Sequence, residues 1–347
     1  MNTNPYVFAL IIGCVLSYIF TPFVKKIAFK VGAVDIPKDD RRVHSRPIPH
    51  LGGLAIYLAF VITVLVFVPL NSGSAVSGML IGGTLIVILG VIDDIKELSP
   101  KIKFAGQILA ALVLVLFGVK VEWVTNPLGG MFYLGKLSIP LTIFWIVGIT
   151  NTLNFIDGLD GLAAGISSIA SFTLFLVALK EGNTVVVIMT AALAGAALGF
   201  LPYNFNPAKI FMGDAGAMFL GYILAGISIE GAIKSAAAIA LIIPILALGL
   251  PIFDTAFAII RRIVNGYPVT QADKDHIHHR LLARGLSQRQ VVLIMYSING
   301  ALGMSAIVLS EIGSIKAGIV LVFLLAIILS AGRQWGIIDL RTKKFDA

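Results

Sequence analysis

Long apolar runs alternate with short polar stretches along the whole chain. Eleven runs approach or exceed the roughly 20 residues a helix needs to cross a bilayer. They cover 6–29, 51–70, 75–92, 101–118, 137–154, 158–179, 185–201, 213–229, 234–262, 289–309 and 314–332. The pattern predicts an all-α fold, a polytopic membrane helical bundle of about eleven transmembrane helices, built as one integral domain over 1–347. Pro244 and Pro251 lie inside the ninth run. Proline removes a helical hydrogen bond, so a kink or break is expected there. Ser287 and Gln290 have capping-box spacing ahead of the tenth run, and Gly285 ends a short helix before it. In residues 119–136, Val119, Val121 and Trp123 alternate before Asn126-Pro127 and Gly129-Gly130, which predicts a short hairpin on the membrane surface. The first run has no small-residue cleavage site and reads as a retained helix.

Composition supports the membrane assignment. Of 347 residues, 58% are hydrophobic and 13% charged, about half the charged share of a soluble protein. The mean hydropathy is +0.97. The single cysteine, Cys14, lies within the first run, so no disulfide can form within the chain. Charge then sets orientation. Of the 26 Lys and Arg residues, only Lys120, Lys136, Lys180, Lys234 and Lys316 fall on one face, leaving 21 on the other. The excess of basic residues on cytoplasmic loops predicts an N-terminus outside and a C-terminus in the cytoplasm of a multi-pass plasma-membrane protein. Topology and attraction to anionic headgroups account for much of the net charge of +8. They do not account for where carboxylates and histidines fall.

Those groups gather on the predicted inner face. Thr150-Asn-Thr-Leu-Asn-Phe-Ile-Asp-Gly-Leu-Asp-Gly-Leu162 places Asn151, Asn154, Asp157 and Asp160 three residues apart. On a continuing helix they would form one polar stripe. One Asp would suit a helix cap; four polar groups with Gly158 and Gly161 between them exceed what a cap needs. Asp93 and Asp94 end the third run. Neighbouring helical side chains point about 100° apart, so the pair is unsuited to holding one metal symmetrically. One carboxylate could bind a cation while its neighbour acts as a base or anchors a lysine, with Lys96, Lys101 and Lys103 in reach. Asp214 sits near the start of the eighth run, where a helix N-terminus favours phosphate; it could cap that helix or hold a metal bridging to the phosphate. His44, Arg46 and His50 belong to a basic first loop that a topology signal would also explain. His276, His278, His279 and Arg280 close the series. The surrounding oxygen ligands favour a hard cation such as Mg²⁺ over zinc, with Mn²⁺ as the alternative. Together the groups suit metal-assisted phosphoryl transfer. Neither a P-loop nor a Gly-x-Gly-x-x-Gly is present, so this is no ordinary nucleotide fold, and no nucleic-acid partner is expected.

Four ordered motifs carry a resemblance: Val91-Ile-Asp-Asp94, Asn151-x-x-Asn154-x-x-Asp-Gly-x-Asp-Gly-Leu162, Ile210-Phe-Met-Gly-Asp-Ala-Gly216 and Asp275-His-Ile-His-His-Arg280. The chain resembles the polyprenyl-phosphate N-acetylhexosamine-1-phosphate transferases over essentially its whole length. Within them it looks like the branch that moves GlcNAc-1-phosphate from UDP-GlcNAc onto undecaprenyl phosphate, the start of teichoic acid, O-antigen or related bacterial envelope glycans. The resemblance implies a helical bundle with a cytoplasmic active-site cleft. It implies Asp214 and Asn154 as Mg²⁺ ligands and Lys103 at the donor pyrophosphate. Asp93 or Asp94 would act on the lipid phosphate. Asn151, Asp157 and Asp160 would line the nucleotide-sugar pocket, with His276, His278, His279 and Arg280 closing over the donor. His44 and Arg46 are further phosphate contacts by residue type. The lipid phosphate would attack directly, or an Asp would form a covalent intermediate. A donor carrying a MurNAc-pentapeptide is the alternative within the family. A secondary transporter is the alternative outside it; it would place acids at mid-membrane, whereas here nearly all lie at span ends and Asp254 alone lies deeper. The Asp-Gly-x-x-Ala-Arg element of CDP-alcohol phosphotransferases is absent. The oligomeric state stays open, a homodimer included.

Overall fold

The structure is a computed structural model that describes residues 4–35, 47–69, 72–125, 131–234, 242–268 and 276–311. The chain is a polytopic helical membrane protein. The described helices are α1 (Pro5–Val31), α2 (Gly53–Phe67), α3 (Ser74–Lys96), α4 (Pro100–Leu116), α5 (Ser138–Ile156) and α6 (Leu162–Lys180). They continue with α7 (Thr184–Asn204), α8 (Gly213–Lys234), α9 (Ile242–Ala247), α10 (Gly249–Val264), α11 (Ile277–Leu282) and α12 (Gln288–Leu309). Seven of them, α1, α3, α5, α6, α7, α8 and α12, are long and apolar enough to cross a membrane; α2 is shorter and apolar. Nine of the eleven expected runs coincide with one helix each. The ninth run is broken at Leu248 between α9 and α10, with Pro244 inside α9 and Pro251 in the first turn of α10. The eleventh, 314–332, lies outside the described residues.

The bundle is organised around α8. Its middle is almost fully buried, with Ala217, Met218, Phe219, Leu220 and Tyr222 at 1% exposure or less. α3 and α5 pack along it, α2, α6 and α7 complete its surroundings, and α1 and α12 lie further out against α7 and α6. Apolar side chains gain little by meeting each other instead of lipid tails, so close backbone approach and dispersion must hold such a bundle. The α3–α8 contact shows this. A Cβ on Gly90 would stand 2.5 Å from the backbone nitrogen of Ala215 and 2.9 Å from the carbonyl carbon of Asp214. Tyr222 of α8 donates its hydroxyl to the Ala110 carbonyl of α4 at 2.8 Å.

Among the described residues, two small antiparallel sheets decorate the bundle. β1 (Val34–Asp35) pairs with β2 (Ile48–Pro49). β3 (Trp123–Thr125) pairs with β4 (Met131–Tyr133), Trp123 opposite Tyr133, which is the expected hairpin. Past β2, the backbone of Gly52 and Gly53 donates to the carbonyls of Phe211 and Met212. The approach to α2 is thereby tied to the approach to α8. Ser287 and Gln290 form the expected capping box on α12, and Gly285 takes a left-handed φ of 84° after α11.

Candidate active site

Four helix ends meet where α3 and α5 finish and α4 and α8 begin. α3 stops because Glu97 adopts a left-handed φ of 50° and Pro100 opens α4. Asp93 closes that turn, one carboxylate oxygen accepting the Leu98 N–H at 2.7 Å. Its other oxygen pairs with Lys103 Nζ at 2.7 Å. The same ammonium pairs with Asp214, whose second oxygen accepts from the Asn154 carboxamide at 2.8 Å. Lys103 therefore bridges two carboxylates from different helices. Of the roles expected for the Asp pair, the lysine anchor falls to Asp93, whereas Asp94 takes one that was not expected.

Asp94 faces α8. Its two oxygens accept the N–H groups of Asp214 and Ala215 at 2.8 and 3.2 Å. These are first-turn donors with no partner inside their own helix, so the carboxylate caps α8 from another element. Gly213 makes this possible. It has a φ of 73°, and a Cβ there would lie 2.5 Å from an Asp94 carboxylate oxygen. His50 Nε2 bonds the Asp94 carbonyl at 2.7 Å, fixing the loop ahead of α2 to the end of α3.

The Asn151-to-Asp160 stripe does not run as one helix. α5 ends at Ile156, and Gly161 takes a φ of 80° before α6 starts. The glycines let the chain turn, and the four side chains diverge. Asn151 exchanges hydrogen bonds with Gln107 of α4, at 2.6 and 3.3 Å, behind the site. Asn154 reaches Asp214. Asp160 turns to the segment after α7, accepting from Asn206 Nδ2 and the Ala208 N–H at 3.0 Å each. Asn206 also donates to Gln288 at the start of α12, at 2.6 Å. Asp157 is half-buried beside the other acids. Burial, then the charges of Asp214, Asp94 and Asp160, push its carboxyl well above the usual carboxylate range.

These elements enclose a cleft of about 900 Å³. Asp94, Asn154, Asp157, Asp160 and Asp214 line it, and so do His50, Lys25, Lys209, Asn206 and Gln288. Sequence reasoning did not single out Lys25, Lys209, Asn206 or Gln288. Lys25 looks like one more charge at the end of an apolar run. Asn206, between Phe205 and a proline, looks like a turn residue.

The His276–Arg280 segment does not line the cleft formed by the described residues. Of its side chains, His278 backs the cleft wall, while His279 is exposed and Arg280 half-buried. His278 is 1% exposed, and a Cβ on Gly158 of the cleft wall would meet His278 Nε2 at 2.7 Å. Burial, then the neighbouring His279, lowers the His278 pKa to about 3, against a smaller opposing pull from Asp254. His44 and Arg46 lie outside the described residues.

Among the described residues no three His, Cys, Asp or Glu side chains come together as a metal set. Asp214 and Asn154 instead offer one carboxylate and one carboxamide at the cleft edge. That donor set fits Mg²⁺, which is usually held by one or two carboxylates and completed by substrate phosphate and water. It does not fit zinc, which prefers nitrogen and sulfur.

Residues 76–232 match the family described as glycosyl transferase family 4. The chain is similar to a probable undecaprenyl-phosphate N-acetylglucosaminyl 1-phosphate transferase of Bacillus subtilis, 43% identical over 98% of this chain and 94% of that one. A decaprenyl-phosphate N-acetylglucosaminephosphotransferase of Mycobacterium tuberculosis is 39% identical over 82% of this chain and 77% of its own. An undecaprenyl-phosphate alpha-N-acetylglucosaminyl 1-phosphate transferase of Escherichia coli is 29% identical over 84% and 80%.

Proposed function

The chain belongs to glycosyl transferase family 4, as a polyprenyl-phosphate N-acetylglucosaminyl-1-phosphate transferase, and we propose that it transfers GlcNAc-1-phosphate from UDP-GlcNAc to undecaprenyl phosphate with Mg²⁺. The reaction takes place on the cytoplasmic face and opens synthesis of an envelope glycan of the teichoic acid or O-antigen type. The observation that carries this reading is the Lys103 bridge between Asp93 and Asp214, set with Asn154 beside the cleft. It joins a cation for phosphate to oxygen ligands for a metal at one point.

A phosphate oxygen of the lipid attacks the β-phosphorus of UDP-GlcNAc. The bond from that phosphorus to the bridging oxygen breaks, and UMP leaves with the bridging oxygen. Lys103 offers its charge to the donor pyrophosphate. Asp214 and Asn154 would hold Mg²⁺, which neutralises phosphate charge and makes the β-phosphorus more electrophilic. Asp94, capping α8, keeps the first-turn N–H groups and Asp214 in register. Asp157, Asn206 and Gln288 offer polar contacts to the nucleotide sugar. Lys25 and Lys209 supply positive charge to the cleft wall.

The choice of donor follows the N-acetylglucosaminyl relatives and gives a role to Arg280, which is outside the lining of the described cleft and would have to reach in to the bound donor. The planar fork of Arg280 suits sugar or phosphate oxygens, and a site that hydrogen-bonds the 3-hydroxyl rejects a sugar whose 3-oxygen carries a lactyl-peptide arm. Purified protein with undecaprenyl phosphate and Mg²⁺ should release UMP from UDP-GlcNAc and little from UDP-MurNAc-pentapeptide. EDTA or Asp214→Asn should lower turnover at least 100-fold in folded protein. Equal or better transfer from the pentapeptide donor refutes the donor assignment. Full activity in EDTA refutes the metal, and a wild-type rate in Arg280→His removes Arg280 from the argument.

A further inference from the structure

Asp254 is the one acid that the span-end pattern leaves unexplained. It lies in α10 and is 4% exposed. A buried carboxylate is costly unless its oxygens are satisfied, and packing alone would be met by an apolar side chain. Both oxygens are engaged, one by the N-cap residue of α11 and the other by its first residue. One accepts from Nδ1 of His276 at 2.8 Å, and the other accepts the Ile277 N–H at 2.8 Å. His276 precedes α11 and provides no side-chain cap of its own.

The carboxylate can only accept, so the His276 nitrogen facing it must carry the proton. In the neutral ring the lone pair is then on Nε2, at the opposite edge. The ring plane is set as well. His276 stands between Phe155 of α5, 6.3 Å away, and His278, whose ring is parallel at 5.8 Å. His278 in turn abuts Gly158 of the cleft wall. A continuous path of contacts therefore runs from Asp254 through His276 and His278 to the 157–161 turn.

We propose that Asp254 is a positioning residue of the transferase: it selects the Nδ1–H form of His276 and seats α11 against the Gly158 wall of the cleft. It touches no substrate, and its effect on turnover reaches the nucleotide-sugar side of the cleft through the histidines. The kinetic part rests on the donor reading above; the tautomer and seating parts do not.

The test uses the full-length protein in nanodiscs with imidazole-¹⁵N histidine, the His276 signal being the one lost in His276→Gln. Wild type should show His276 protonated at Nδ1. Asp254→Asn should shift it toward the Nε2–H form and raise the UDP-GlcNAc KM at least tenfold, with the lipid-phosphate KM within twofold. Asp254→Glu, which keeps the charge, should recover part of the donor KM. An unchanged tautomer in Asp254→Asn, or equal rises in both KM values, overturns the proposal. Should Asp254→Asn fail to fold, the wild-type tautomer still decides: an Nε2–H ring in the native protein overturns it. If wild type transfers nothing from UDP-GlcNAc, the donor reading fails, and the ¹⁵N signals still decide whether Asp254 sets the ring.

Discussion

Gly90→Ala tests whether close approach of α3 to α8 builds the site. Gly90 lies one turn before Asp94 on the same helix face. The added Cβ would stand 2.5 Å from the Ala215 nitrogen, where ordinary contact begins at 3.4 Å, so the helices must separate by roughly 1 Å. Overpacking of this kind costs about 1–3 kcal/mol. The same movement stretches the Asp94 bond to the Asp214 N–H from 2.8 Å beyond useful range. Hydrogen bonds to a charged group contribute about 1.5–3 kcal/mol each. Alanine returns up to about 1 kcal/mol through helix propensity. The net expectation is a loss of about 2–5 kcal/mol. On the scale of soluble domains of 150–250 residues this lowers Tm by roughly 4–20 °C. A 1 Å displacement of Asp214 relative to Lys103 should lower turnover about 100-fold. The assay pairs a thermal melt, followed by loss of monodisperse protein, with UMP release. Gly148→Ala is the control, since a Cβ there meets nothing within 4 Å; it should be neutral or slightly stabilising. A Gly90→Ala protein with wild-type Tm and turnover would refute the reasoning.

Two further outcomes follow from the site and from the charge pattern. His278 has a folded pKa of about 3, below the ordinary value of about 6.5, so it weakens docking of α11 as pH falls below the ordinary value. The loss is about 1.4 kcal/mol per pH unit, or about 2 kcal/mol at pH 5; proteolysis within 276–282 should rise between pH 7.5 and pH 5 and lose that dependence in His278→Gln, while unchanged protection would contradict the burial argument. In a Cys14→Ser background, an impermeant thiol reagent on intact cells should label Asn126→Cys and spare Asp275→Cys, and the reverse pattern would invert the assigned orientation.

The membrane class, most helix positions and most of the acids that line the cleft were legible in the sequence, each for a local reason. A bilayer demands about 20 apolar residues per crossing, and that demand is written along the chain without reference to other segments. Pro244 and Pro251 announced the break in the ninth run, and Ser287 and Gln290 announced a cap, because both effects act within one turn. Asp93, Asp94, Asp157, Asp160 and Asp214 stand at or next to helix ends because charge is expelled from the hydrocarbon. Partner identity was not legible. Asp94 caps α8, Asp254 holds α11, and Asp160 holds the Asn206–Ala208 segment, each across at least 22 residues of sequence. The even spacing of Asn151, Asn154, Asp157 and Asp160 suggested one stripe, yet the turn at Gly158–Gly161 sends them to different partners. Lys25 and Gln288 were ordinary span-end residues until α1 and α12 packed around the cleft. The sequence by itself determined which groups stand at the ends of the apolar helices, because solvation acts on each residue separately. Only the tertiary structure decided which of them meet, because a hydrogen bond or ion pair depends on the relative placement of two helices that packing alone sets.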